Sequence, residues 1–382
     1  MGKSKNLEDL LKDGFSRKYA DFYLNILETE KKQQVYDRAF MEWAHSKGFC
    51  AKNAMLYGLT EENYTEFLSD YDYYRIWPLN SWTRIWVNDK MTLKYMLANT
   101  DLGDIMPKYY YYTSPNGLRA LVDNPYLDQF ADVNQFIKLL SEVKVFACKP
   151  CNGTASVGFF KMEYKDGKYF VDNKELIEEE IPAFLEKHKN FVFTEFLKPA
   201  GVLGEINPQI HTLRIVTINS DGYNPQIVGG YLRIPNNPSF SANYITLEEN
   251  HNEYNIFVDF NFETGEFFDA KKVFIDKVVD INEHPITKVS LNGQIENYGQ
   301  LKDKILRIAQ LFNNIEYMGF DIGVTETGFK CMEINTHPGI GYMQLFKPLF
   351  NSESVKSYYN NKIEAIDAMT DEQKASRNSI VR

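Results

Sequence analysis

Apolar positions in the first part of the chain recur at helical spacing. In SRKYADFYLNILETEKKQQVYDRAFMEWAHSKG, Tyr19, Tyr23, Ile26 and Leu27 share one face, and the pattern stops at Gly48. Thr60, followed by Glu61 and Glu62, has the chemistry of an N-cap with acids in the first turn, which predicts a helix through EENYTEFLSDY. A further helix is expected near 90–98, then a strand at 108–113 with Pro107 at its entrance.

The period then alternates. ADVNQFIKLLSEV (131–143) reads as a helix and KVFACKP (144–150) as a buried strand. GFFKMEY and KYFVD form a hairpin about Asp166-Gly167, followed by a helix over KELIEEEIPAFLEKH and a strand at 191–197, FVFTEFL. From 210 onward strands dominate, in IHTLRIVTI, QIVGGYLRI, NIFVDFNF and EFFDAKKVF. A helix at about 297–313 precedes the hairpin MGFDIGVTETGFKCMEINTHPG, and the tail after about 352 is helical with a polar, frayed end. This order is that of an α+β protein with a mostly helical N-terminal region at 1–80, a main domain over 81–352 and a C-terminal helix and tail over 353–382. No internal repeat or low-complexity tract interrupts it.

Composition narrows the function classes. The 382 residues are 44% hydrophobic and 25% charged, and the net charge of −10 argues against nucleic acid as a partner. No apolar run approaches the roughly 18 residues of a membrane helix, so no transmembrane segment is expected. MGKSKNLEDL lacks a signal-peptide core and has Asn6 where myristoylation wants Ser or Thr, so a cytoplasmic protein is expected. Cys148 and Cys151 have the spacing of half a zinc site or a redox pair. They have no second pair, no histidines at finger spacing, and no helix N-terminus to lower a thiol pKa, so they read as ordinary small side chains.

Three constellations carry chemistry. Lys149 precedes a small-residue loop, Gly153, Thr154, Ala155, Ser156 and Gly158, between two strands. Backbone N–H groups of such a loop can close over phosphates, although Phe159 and Phe160 stand where a P-loop needs Lys and Ser/Thr; a plain Gly-rich turn also fits. The second is FDIGVTETGFKCMEIN, read as a hairpin on a three-residue loop, Glu326-Thr327-Gly328. In that register residues whose numbers sum to 654 face each other, so Asp321 opposes Glu333, and Asn335 shares their face. Two carboxylates and an amide oxygen are hard ligands suited to Mg²⁺ holding nucleotide phosphates; a solvent-facing edge hairpin is the alternative. The third is Arg214 and Arg233 on adjacent predicted strands, fit either for a transferring phosphoryl group or for structural ion pairs. His211 reads as a packed or hydrogen-bonded histidine, and His337 as a substrate-side residue near the metal hairpin.

In this order the segments resemble an ATP-grasp enzyme. VNDKMTLKYML with DIMPKYY is similar to that family's first lysine segment, which implies that Lys90 binds nucleotide. FACKPCNGTASVGFFKM resembles the second-lysine strand and glycine loop, with Lys149 in the lysine's place. FVFTEFL resembles the hinge strand, placing Glu195, Phe196 and Leu197 at the adenine. FDIGVTETGFKCMEINTHPG resembles the closing metal hairpin, giving Asp321, Glu333 and Asn335 the magnesium roles. Each motif is short, but four in the right order across roughly 85–345 are specific. HTLRIVTI with YLRI brings the chain nearest to the sugar-transfer-associated ATP-grasp group, found with polysaccharide-assembly genes.

The resemblance implies two α+β lobes clasping ATP, a lid lobe at about 108–197 and a catalytic core at about 198–350. The implied cofactors are ATP and Mg²⁺, the latter as two ions. The implied reaction is ligation: a carboxylate is activated as acyl phosphate and captured by an amine. Partners would be small-molecule or sugar-linked carboxylate and amine substrates, together with polysaccharide-assembly enzymes. D-alanine–D-alanine ligases carry an arginine just before the first metal aspartate. This chain has Phe320 there, so Arg214 or Arg233 is expected to take over. Glu205 is the candidate for the ribose. Two other readings remain: a kinase of sugar hydroxyls on the same fold, and a non-catalytic ATP-binding module. The aromatic stretch YDYYRIWPLNSWTRIW reads as core rather than as a sugar-stacking surface.

Overall fold

The strands sort into two antiparallel sheets, and what lies between the sheets positions the site. The computed structural model describes residues 5–33, 35–126, 131–151, 158–237 and 251–377. Four helices open the chain, α1 (Leu7–Lys12), α2 (Arg17–Gln33), α3 (Arg38–Ser46) and α4 (Ala51–Tyr57), followed by α5 (Asp70–Ile76), α6 (Ile85–Asn88) and α7 (Lys90–Ala98). The next stretch runs β1 (Tyr109–Ser114), β2 (Gly117–Ala120), α8 (Val133–Val143), β3 (Val145–Pro150), β4 (Phe160–Lys165), β5 (Lys168–Val171), β6 (Lys174–Leu176), α9 (Ile181–Lys187) and β7 (Phe191–Glu195). A short helix, α10 (Gly201–Ile206), leads into β8 (Thr212–Ile218), β9 (Gln226–Ile234), β10 (Asn255–Phe260), β11 (Glu266–Val273), β12 (Val278–Ile281) and β13 (Gly293–Gln294). The chain ends with α11 (Tyr298–Leu311), β14 (Tyr317–Thr325), β15 (Gly328–Asn335), α12 (Glu353–Asp367) and α13 (Asp371–Ser376).

The first sheet has the order β2-β1-β7-β3-β4-β5-β6, with α8 packing Phe136 against Phe146 and Phe193. The second has the order β12-β11-β10-β9-β8-β14-β15, with β13 beside β11. Its strands β8, β10 and β14 are buried on both faces, residues alternating between the two sides. Ile256 and Val258 join the core of α7, α10 and α11, while Phe257 joins that of the N-terminal helices and α12. The N-terminal helices therefore share a core with the second sheet. Asn80 pins them further, donating to Tyr317 O at 2.7 Å and Thr336 O at 2.8 Å while accepting from Tyr317 N at 3.0 Å. Tyr73, Ile76 and Trp77 are buried, so most of the aromatic stretch is core; Trp82 stays exposed.

Two expectations need correction. No α-helix follows Thr60, only a single 3₁₀ turn at Tyr64–Glu66. Asn63 accepts from Thr60 N at 2.8 Å and donates to Gly58 O at 3.2 Å, which closes a turn. The helix begins ten residues later at α5, capped by Ser69. The segment expected to be helical from Lys174 begins instead as strand β6. Asp172 and Asn173 both adopt positive φ, 47° and 70°, folding the chain back onto β5 in a tight hairpin. Helix α9 starts only at Ile181, next to Pro182, which supplies a helical φ without needing a donor.

Candidate active site

β8, β14 and β15 lie side by side, and their register places Arg214, Asp321 and Glu333 in one row across the sheet. The hairpin arrives at this row by a route different from the expected one. Thr325 pairs with Gly328, so the loop is the two residues Glu326-Thr327, and near the turn the partner numbers sum to 653. A bulge between Asp321 and Ile322 then accommodates Met332 as an extra residue and restores the 654 sum. Asp321 consequently faces Glu333. The Asn335 amide stands 3.2 Å from Glu333 Oε1 and 3.4 Å from Asp321 Oδ2.

Cations surround this carboxylate pair. Arg214 Nη2 donates to Asp321 Oδ2 at 2.9 Å and Arg214 Nε donates to Oδ1, a bidentate fork. Burial disfavours the Arg214 charge, but the Asp321 carboxylate more than compensates and raises its pKa. The guanidinium lies 6.0 Å from the Tyr231 ring centre, its neighbour on β9. Lys90 is the first residue of α7, placed there because Asp89 caps the helix through Thr92 N at 2.7 Å. Its Nζ lies 3.6 Å from Glu333 Oε2. Lys149, on β3 of the facing sheet, has its pKa lowered to about 8, first by burial and then by the Lys90 charge, against the opposing pull of Glu333.

This arrangement suits a polyphosphate and a hard cation. A lysine from helix α7 and one from β3 converge here, and the Lys90 charge disfavours that of Lys149, which phosphate oxygens would relieve. Asp321 and Glu333 offer carboxylate oxygens, as Mg²⁺ prefers, while Asn335 turns its Nδ2 towards them and would offer its oxygen by a flip of the amide. Among the described residues no group of three His, Cys, Asp or Glu gathers, so phosphate oxygens and water would complete such a shell.

Gly158 closes the loop after β3 with φ +77°, and a Cβ there would stand 3.0 Å from Pro150 Cγ, so glycine is required. Gly153, Thr154, Ala155 and Ser156 lie outside the described residues. Phe196 and Leu197 line a 240 Å³ pocket between the sheets, with Tyr110 and the β14–β15 turn. Glu195 lines the same pocket, at the end of β7, where its carboxylate accepts from Lys108 N at 3.0 Å and lies 3.9 Å from Lys330 Nζ. Glu205 is exposed on α10, and no described contact links it to the row. His211 accepts from Val324 N at 3.0 Å, with burial lowering its pKa to about 3. His337 sits among Tyr19, Tyr73 and Trp77, its pKa likewise pushed down to about 3 by burial, which is a packing role rather than the substrate-side one expected. All four cysteines are buried free thiols.

A cavity of 590 Å³ opens beside the row, and both Arg214 and Arg233 line it. Its opposite wall belongs to the N-terminal helices, with Asn25, Gln33 and Lys52 among its residues. Sequence reasoning missed these residues. Their only signal is a polar stripe on α2 at successive turns, which elsewhere reads as a solvated face.

Several solved structures resemble the chain at low identity. The ATP-grasp ligase PsnB, in complex with a phosphomimetic variant of its minimal precursor, Mg and ADP, aligns over 74% of this chain and 60% of its own, at 13% identity and a TM-score of 0.36. D-alanyl-alanine synthetase A from Vibrio cholerae aligns over 73% of this chain and 66% of its own, at 14% identity and a TM-score of 0.40. An L-amino acid ligase from Bacillus licheniformis aligns over 68% and 42%, at 9% identity and a TM-score of 0.34. The chain thus spans less than two thirds of the length of each. No curated protein matches the sequence. Residues 79–361, which hold the whole Lys90–Glu333–Asp321–Arg214 row, match the family described as sugar-transfer associated ATP-grasp, and the chain belongs to that family.

Proposed function

We propose that the protein is an ATP-dependent carboxylate–amine ligase acting in cell-surface polysaccharide or sugar-conjugate biosynthesis in the cytoplasm. A substrate carboxylate oxygen attacks the γ-phosphorus of ATP, the bond to the β-phosphate oxygen breaks, and ADP leaves. An amine nitrogen then attacks the acyl carbon and loses a proton, and phosphate departs as the amide forms. Lys90 and Lys149 hold phosphate oxygens, while Arg214 steadies the transferring group. Asp321, Glu333 and Asn335 would hold Mg²⁺, which when bound would supply charge neutralisation at the phosphates. Arg233, one strand further out, orients the incoming carboxylate.

The observation that carries this reading is the cross-strand row ending in an arginine that also lines a substrate-sized cavity. On this reading the arginine would stand between carboxylates that bind the metal and a space open to a second substrate, which supports an anion-activating role for it. The test is ADP release from Mg·ATP with pooled uronic acids and amino acids in the presence of hydroxylamine, with Lys149→Ala as control. Hydroxamate formed together with ADP, in the wild type alone, supports the ligase. ADP without hydroxamate points to transfer to a hydroxyl, and nucleotide binding without ADP to a binding module.

A further inference from the structure

The 590 Å³ cavity is larger than a single amino acid needs, and its walls are chemically sorted. Its inner end is basic, with Arg214 and Arg233 on β8 and β9 and Lys52 opposite, held 5.5 Å over the Tyr342 ring. The acids in the same wall are already engaged. Glu30 accepts from His45 at 2.8 Å and from Ala51 N and Lys52 N, both at 2.9 Å. Asp70 accepts from Cys50 N at 2.8 Å and Asn53 Nδ2 at 2.6 Å. These bonds tie down the start of α4; the cations of the cavity are Arg214, bound to Asp321, Arg233, whose Nη2 donates to Thr212 Oγ1 at 3.4 Å, and Lys52.

Along the outer wall Asn25, Thr29 and Gln33 recur every fourth residue of α2, a neutral polar stripe spanning about 12 Å at 1.5 Å per residue, in which the Thr29 hydroxyl donates to Asn25 O at 2.7 Å and keeps its lone pairs to accept. Neutral amides and hydroxyls in a row pair well with successive hydroxyl groups. A compact amino-acid backbone could reach only part of the row. Tyr36 is fixed beside it by donating to Ile275 O at 2.7 Å, and it offers a ring face at the end of the stripe.

We infer that this cavity binds a carboxylate-bearing saccharide longer than one ring, its carboxylate at Arg233 and its hydroxyls read by α2. The inference rests on the ligase reading for what happens to that carboxylate, but the binding itself does not depend on turnover. It also assigns substrate selection to the N-terminal helices, ahead of the segment that defines the family.

The test is calorimetric binding to the full chain, with and without Mg·ADP, using digalacturonate, the neutral galactose disaccharide and a glutamyl dipeptide. Digalacturonate is expected to bind about tenfold or more tighter than the neutral disaccharide, because only it makes charge-assisted bonds to the arginines. Thr29→Ala and Gln33→Ala, both at the helix surface, are each expected to weaken it about fivefold, the loss of one hydrogen bond. Mg·ADP affinity of the same proteins serves as the control for folding. A dipeptide that binds as tightly as digalacturonate, α2 variants with unchanged affinity, or no uronate binding in either condition would overturn the inference. Uronate binding without any hydroxamate would instead keep it and remove the acyl-phosphate step.

Discussion

Arg214 grips both carboxylate oxygens of Asp321 from the neighbouring strand, and the pair is almost removed from water, with 12% and 7% of the two side chains exposed. Such a pair contributes little net stability when intact, but losing one partner leaves a buried charge uncompensated. Arg214→Ala is expected to lower unfolding stability by about 3 kcal/mol in the absence of ligands. Mg²⁺ offers Asp321 a replacement cation, so Mg·ADP should raise the melting temperature of the variant by more than that of the wild type. Thermal unfolding with and without Mg·ADP checks both parts. Equal shifts would mean that Asp321 is not a metal ligand.

Lys149 should set a pH dependence. Its folded-state pKa of about 8 lies below the ordinary 10.5, because burial and the Lys90 charge disfavour its proton. Between those values the unfolded chain binds more protons than the folded one. The cost to folding is therefore fully present below pH 8 and fades as pH rises through the window. Lys149→Met should accordingly be more stable than the wild type at pH 7, with the gap closing towards pH 10. Nucleotide affinity should run the other way, falling in the wild type above pH 8 as the charge is lost and staying low at every pH in the variant. Denaturant melts and ADP titrations across that range measure the two curves.

Much of the site was legible in the sequence because it lies on hairpins, where an alternating pattern and a turn fix which residues share a face. Asp321 opposite Glu333 is the instructive case. The pairing was anticipated from a three-residue loop. The chain makes a two-residue loop instead and recovers the pairing through the bulge at Met332. Bulges depend on how neighbouring strands pack, and the apolar run Cys331-Met332 does not announce one. The Arg214–Asp321 contact was not legible at all: it needs β8 beside β14, two strands about a hundred residues apart. The cavity wall was hidden for the same reason, since the polar stripe of α2 acquires meaning only once that helix faces Arg233. The misread Thr60 and Lys174 segments show local side-chain hydrogen bonds and positive-φ turns overriding helical composition.

The paired glycines of QIVGGYLRI carry a prediction that composition alone would not suggest. Gly230 has φ +154°, and a Cβ on it would stand 1.9 Å from the Arg214 carbonyl oxygen. Only a bare backbone lets β9 approach β8 beneath the arginine. Gly230→Ala should push the strands apart, destabilise the protein by about 2 kcal/mol or more, and displace Arg214 from the row. Gly167→Ala makes a useful comparison, since a Cβ there meets nothing within 4 Å although its φ is also positive. Turnover per folded molecule should fall for Gly230→Ala and stay near normal for Gly167→Ala. Parallel losses in the two would show that the effect is backbone strain in general rather than the position of Arg214.

Glu333 offers the cleanest separation of chemistry from folding. It is only partly buried, 30% of its side chain being exposed, and its contact with Lys90 at 3.6 Å is too long and too wet to hold the fold together. Glu333→Gln keeps the volume and one oxygen but removes the charge that would hold a divalent cation against the phosphates. ATP turnover is expected to drop about a hundredfold or more, the scale seen when a group aimed at developing charge is lost. The melting temperature should change by no more than about 2 °C, as for a partly exposed substitution without a cavity. Activity that remains should need much more Mg²⁺, because one anionic ligand is gone, and EDTA should abolish turnover in both proteins. Wild-type turnover in the variant, or a Mg²⁺ requirement unchanged from the wild type, would take Glu333 out of the metal site and leave it as the counter-ion of Lys90.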